Sequence, residues 1–189
     1  MNENLLVKTV EENGHTIKIY YDECPDSPRE WDNLGTIYAN SRSCNPDNKN
    51  IEELIEKVGG NLYERVIPWN LIAKDHYYEK VWIYDHSGQT VSTGENNPYH
   101  CPWDSGLMGV IAVEKEKAKK EFGYKRDCPA LRKRVSECLK GEVKTLDTFL
   151  RGEIYAYQVL GSDGELIDSC CGFYDMEEAL AEARSMIAA

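Results

Sequence analysis

EIYAYQVLGSDGELIDSC (153–170) is the stretch that decides the fold class. Glu153–Leu160 reads as a strand, Ser162-Asp163-Gly164 as its turn and Leu166–Cys170 as the returning partner. Before it, Leu131, Val135, Cys138, Leu139, Leu146, Phe149 and Leu150 recur at near-helical spacing behind Cys128-Pro129, where proline suits a first helical turn. Gly141 predicts a kink or a break in that helix. After the hairpin, a helix from about Met176 lines up Leu180, Ala183 and Ile187. A hairpin between two amphipathic helices is the pattern of an α+β protein.

The rest of the chain repeats this alternation. Leu5–Val10 and Thr16–Tyr21 form a hairpin through Glu11-Glu12-Asn13-Gly14, because Asn-Gly supplies the positive φ angles a tight turn needs. Glu79–Tyr84 and Gly88–Ser92 form another, turning at Asp85-His86-Ser87-Gly88. Thr36–Ala39 and Val110–Val113 read as short strands, IEELIEKV (51–58) as an amphipathic helix stopped by Gly59-Gly60, and 114–122 as a charged helix closed by Gly123. Residues 61–76 read as a partly helical connection. No repeat, low-complexity run or linker divides the chain. The expectation is one α+β domain over 1–189, mainly an antiparallel sheet built from hairpins with helices packed on one side.

Composition excludes several function classes. The 189 residues carry 33 acids against 22 Lys/Arg, a formal charge of −11. There is no run of ~18 apolar residues to span a membrane, and MNENLLVKTVEENG (1–14) lacks the basic patch and apolar stretch of a secretory signal. Seven cysteines, an odd number with no CxxC pair, read as reduced thiols in a cytoplasm. No P-loop, dinucleotide-binding glycine fingerprint, GxSxG elbow, HExxH or EF-hand pattern occurs, and no cofactor is expected. The charge is uneven: residues 115–144 hold eleven Lys/Arg against five acids, +6, between flanks of −10 and −7. Lys119, Lys120, Arg132, Lys133 and Arg134 are the candidate contacts of this basic segment, which reads equally as a solvated helical face. The acidic remainder suits imitation of a phosphate backbone.

Two loops between predicted strands carry Trp-Asp pairs. The first is DSPREWDNLG (26–35), with Asp26, Glu30, Trp31 and Asp32; the second is HCPWDSG (100–106), with Trp103 and Asp104. Long loops on a sheet scaffold are where binding groups sit. As a nucleophile set, Cys101 would be the thiol, His86 or His100 the base and Asp104 the orienter, because a thiolate needs a base to take its proton. As a hard-cation site, Asp26, Glu30, Asp32, Asp104, His86 and His100 would have to converge. The plain alternative is that Asp32 and Asp104 cap turns or pair with Arg29 and Arg42, while Trp103 packs on the sheet.

With DSPREWDNLGT (26–36), HCPWDSGLMGVIAV (100–113), LRGEIYAYQVL (150–160) and DSCCGFYD (168–175), the sequence resembles a family of small phage and mobile-element proteins. That family joins a PREWDNLGT loop, a CPWDSG segment and a final hairpin with a GFY signature. The likeness spans most of the chain in the same order. It departs at Ile37–Ser43, at Cys171 where Trp is common, and in the helix beyond GFY. The resemblance implies a setting in which small acidic proteins block host defence, as anti-CRISPR and antirestriction proteins do. The expected function is therefore an acidic, non-enzymatic inhibitor of a host defence nuclease such as a Cas effector with its guide RNA. A small enzyme acting on a nucleotide or metabolite through Cys101, His86 and Asp104, with Asp32 and His100, is the rival reading.

Overall fold

The computed structural model describes residues 2–41, 43–64 and 66–187. Arg42, a candidate partner of the loop carboxylates, lies outside the described residues. In chain order the elements are β1 (Leu6–Glu12), β2 (His15–Tyr21), β3 (Thr36–Ala39), α1 (Ile51–Lys57), α2 (Trp69–Asp75), β4 (His76–Asp85), β5 (Gln89–Thr93), β6 (Ser105–Glu114), α3 (Lys115–Phe122), α4 (Pro129–Leu150), β7 (Tyr155–Leu160), β8 (Leu166–Phe173) and α5 (Met176–Ser185). Short 3₁₀ turns stand at Glu3–Leu5, Pro28–Glu30 and Leu62–Glu64. The α+β class is as expected, with every strand pairing antiparallel. The strands form two four-stranded sheets where one was expected, and each belongs to its own compact unit. No helix among the described residues is long and apolar enough to cross a membrane.

The first unit uses both ends of the chain, up to Pro28 and from Thr148 onward, in the order β1-β2-β7-β8. Asn13 and Gly14 take φ of 52° and 75°, which lets β1 turn directly into β2. Ile17, Ile19, Tyr157 and Val159 share one sheet face and pack on Ala179, Leu180 and Ala183 of α5 and on Ile187 just beyond it. Burial of each large apolar side chain there contributes about 1.5–3 kcal/mol. The Asp175 carboxylate caps α5 by accepting from the backbone N–H groups of Glu177 and Glu178. At the sheet edge, β8 leaves Leu166, Ile167, Cys170 and Cys171 exposed.

The second unit spans Arg29–Asp147, with strand order β3-β6-β4-β5. Val110 and Ala112 of β6 pack under Ile51, Leu54 and Ile55 of α1 and Ile72 of α2. The alternate residues face the other way: Ile111 of β6 and Leu139 of α4 both close on Gly35, and Glu79 of β4 meets Ser136 and Lys140 of α4. Helices thus cover both faces of this sheet. Among the differences from the sequence reading, three stand out. β6 begins at Ser105 rather than Val110, β4 at His76 rather than Glu79, and α4 runs unbroken through Gly141. Gly109 explains the first: a Cβ there would stand 2.1 Å from the Tyr38 carbonyl oxygen, so close β3–β6 pairing requires a residue that looks like a loop former.

His76 opens β4 and is 5% exposed, with neither ring nitrogen hydrogen-bonded among the described residues. Burial pushes its imidazole below the ordinary histidine value, and Lys57 and Lys115 reinforce this against Glu114 and Asp75. The unfolded chain, with an imidazole pKa of ~6.5, takes up a proton that the folded chain resists. Stability held above pH ~6.5 is therefore lost as pH falls, by up to about 1.4 kcal/mol per unit until the folded group protonates. Urea midpoints measured across the acid range should show this slope, and His76→Phe should flatten it.

Candidate functional site

The first Trp-Asp loop is built around an inward-pointing arginine. Pro28 is buried at the start of the 3₁₀ turn, and the next side chain, Arg29, is only 3% exposed. Its Nε and Nη2 donate to the two Asp47 carboxylate oxygens at 2.7 and 2.8 Å. Its Nη1 donates to Glu142 at 3.0 Å and to Asn33 at 3.1 Å, and Nη2 also reaches the Gly35 carbonyl at 2.8 Å. The carboxylates serve the backbone in turn. Glu142 accepts from the N–H groups of Leu34 and Gly35, and Asp47 from that of Ile37. Lys117 of α3 completes the frame by donating to the carbonyls of Asn33 and Leu34. Burial opposes the Arg29 charge, but the paired carboxylates outweigh it and hold the guanidinium above its ordinary range.

This frame accounts for the spelling of the motif. Gly35 is required because a Cβ would come within 2.5 Å of Leu139 and 2.7 Å of Ile111. Leu34 is buried, whereas Trp31 is 51% exposed, and the exposed Glu30 and Asp32 on either side of it make no side-chain hydrogen bond or ion pair among the described residues. Asp32 caps no turn. Asp26 is likewise exposed and belongs to the other unit.

The second loop brings together three residues whose types suggest a nucleophile set. The Cys101 thiol donates to Asp104 Oδ2 at 3.2 Å, and His86 Nδ1 lies 3.3 Å from the same oxygen. Ser105 Oγ donates to the Cys101 carbonyl, Asn97 donates to Ser105 Oγ, and the Asp104 carbonyl accepts from the Asp85 N–H. Tyr84 packs beside the rings of His86 and Tyr99. The carboxylate stands at the centre of this set. A thiol that donates to a carboxylate is arranged as a neutral S–H group, whereas a nucleophilic thiolate wants a cation there. Above the braced loop, Trp103 is 92% exposed, so it does not pack on the sheet. His100 has no polar partner among the described residues.

The two loops do not share a site. β3 and β6 pair antiparallel with Thr36 opposite Ala112, so the first loop enters beside the end of β6 and the second at its beginning. Those points are on the order of 20 Å apart along the strand. Lys117 and Ile111 hold the first loop at its end, and Asp85 holds the second at the other. This corrects the rival enzyme site: Asp32 does not join Cys101, His86 and Asp104. Among the described residues no group of three or more His, Cys, Asp or Glu is placed to hold a metal ion. All seven cysteines are free thiols, with only Cys44 buried.

The basic segment is largely braced against its own surroundings. Lys119 pairs with Glu116, Arg132 with Asp127 through two hydrogen bonds, and Lys133 with Glu137 at 3.8 Å. Arg134 lies over the Phe122 ring at 4.7 Å. The side chains of Lys120, Lys125 and Arg126 have no partner among the described residues and are exposed. Exposed pairs are weak and can be exchanged for a partner's charges. Asp47, Lys117 and Glu142 are site residues that the sequence does not single out, and Arg29, considered there as a partner of Asp32 or Asp104, pairs with Asp47 and Glu142 instead. No family model, curated protein or solved structure matches the chain.

Arg29→Met should lower unfolding stability by about 3–5 kcal/mol, because it strands two buried carboxylates. Urea denaturation reads this loss directly. Asp32→Ala in the same loop should change stability by less than about 0.5 kcal/mol.

Proposed function

We propose that this chain acts by binding a protein rather than by catalysis, and that its partner is a host defence nuclease such as a Cas effector with its guide RNA. The observation that carries the binding reading is Trp103, 92% exposed on a loop braced by the Cys101–Asp104, Asn97–Ser105 and Ser105–Cys101 carbonyl hydrogen bonds. An indole presented on a rigid support loses little conformational freedom on docking, and tryptophan is among the residues that dominate interface energies. Trp31 repeats the arrangement on the Arg29 frame, with the unpaired carboxylates of Glu30 and Asp32 beside it. Those carboxylates suit a basic channel that ordinarily takes nucleic acid, and Lys120, Lys125 and Arg126 suit guide RNA or an acidic protein face. The choice of a defence nuclease acting in the host cytoplasm follows from the motif resemblance.

A second reading has one observation behind it, the meeting of Cys101, Asp104 and His86. Inhibition of a purified guide-loaded Cas nuclease by single variants separates the two. Under the binding reading, Trp103→Ala raises the inhibitory concentration about tenfold or more with an unchanged melting temperature. Cys101→Ala stays within about threefold of the parent, and inhibition weakens as salt rises from about 50 to 200 mM. Loss of all activity in Cys101→Ala with Trp103→Ala intact supports the enzyme instead. Failure to inhibit any of a panel of Cas and restriction nucleases overturns the choice of partner.

A further inference from the structure

Away from both loops, a cavity of about 370 Å³ opens at the start of β4, between α2 and α4. A neighbouring cavity of about 350 Å³ shares His76 and Lys115 with it. The charged groups on the walls of the first are matched in number, Lys115 and Arg132 against Glu79 and Asp127, and each already has a partner. Arg132 is held by Asp127 at 2.7 and 2.9 Å. Lys115 donates to the Ala73 carbonyl at 2.7 Å and lies over the Tyr77 ring. Glu79 accepts from Ser136 and pairs with Lys140.

What remains without a hydrogen bond is uncharged. Among the described residues both ring nitrogens of His76 are buried with no partner, and the Tyr77 hydroxyl is buried beside the Asp127 carboxylate without a well-formed hydrogen bond. Leaving such groups unsatisfied is costly, and folded proteins seldom keep several together. Burial and the nearby lysines keep His76 neutral, so its ring offers one donor and one acceptor. Burial, with Asp127 behind it, pushes the Tyr77 phenol up to about 12, so it stays a donor.

We propose that this cavity binds a small neutral heterocycle carrying amide-type donors and acceptors, the class of free nucleobases and nucleosides. Its unmet hydrogen-bonding capacity is neutral and of both signs, which an amide-bearing ring complements. Tyr77, Tyr78, Ala73 and Leu139 supply apolar and aromatic wall for a flat body, and the volume lies in the range of small-ligand pockets. With wall charges balanced in number and each already partnered, a phosphate gains little there. The His76 nitrogens lie below the solvent-accessible surface, so docking turns the imidazole toward the ligand, a motion for which the two flanking cavities leave room.

Imidazole carbon–proton NMR on the full chain tests this, since only four histidines contribute and His76→Phe assigns the signal. The probes are adenosine, guanosine, cytidine and uridine, with adenosine monophosphate and inorganic phosphate alongside. At least one nucleoside should shift the His76 resonances saturably with a Kd below about 1 mM. Tyr77→Phe, which keeps the ring, should weaken it about tenfold. The monophosphate should bind no tighter than its nucleoside. The proposal fails if no nucleoside perturbs His76, if inorganic phosphate alone reproduces the shift, or if Tyr77→Phe binds as well as the parent. None of these readings depends on nuclease inhibition.

Discussion

The second unit depends on one buried cation. Leu34, Gly35 and Ile37 enter β3 with backbone N–H groups that have no strand partner at that point, and the carboxylates of Glu142 and Asp47 receive them. Two buried carboxylates so close together repel each other and have lost their water. Arg29 resolves both problems with a planar fork that bonds the two at once and also closes on the Gly35 carbonyl. Loop, strand and the middle of α4 are thereby fixed in one step. The outward course of Trp31 follows from the inward course of its neighbour two residues earlier.

Local signals are legible in the sequence, and long-range ones are not. Asn13-Gly14 specifies the first hairpin because the turn's φ angles belong to those two residues. Thr36–Ala39 and the α1 periodicity are legible for the same reason. The split into two sheets is hidden, because which hairpin edges meet is decided by matching faces far apart in the chain: β2 joins β7 across more than 130 residues. The beginning of β6 is hidden by Gly106 and Gly109, which spell a loop, although Gly109 permits the close approach of β3. At the candidate site, Cys101, His86 and Asp104 are legible as a group because their residue types suggest chemistry. The structure changes their meaning by placing the carboxylate in the middle. Arg29 does not stand out because its partners lie 18 and 113 residues away.

The molecule thus treats its polar groups in two ways. Around Arg29 and around Cys101, donors and acceptors are matched, and the outcome is stiffness beneath an exposed indole. At His76 and Tyr77 they are left unmatched beside charged groups that already have partners, and the outcome is unmet hydrogen-bonding capacity. Stiff display suits recognition of a large partner surface, and unmet capacity suits a small guest.

The second unit lies in the chain between the two halves of the first. A ribosome therefore delivers Arg29–Asp147 whole while β1 and β2 still await β7, β8 and α5. Ile17 and Ile19 are left uncovered until β7 and α5 emerge. Domains form as units during synthesis, so an interrupted chain is not a uniformly weakened protein. It is a finished second unit trailing an unpaired hairpin with a sticky face, and termination ahead of β7 yields an aggregation-prone product.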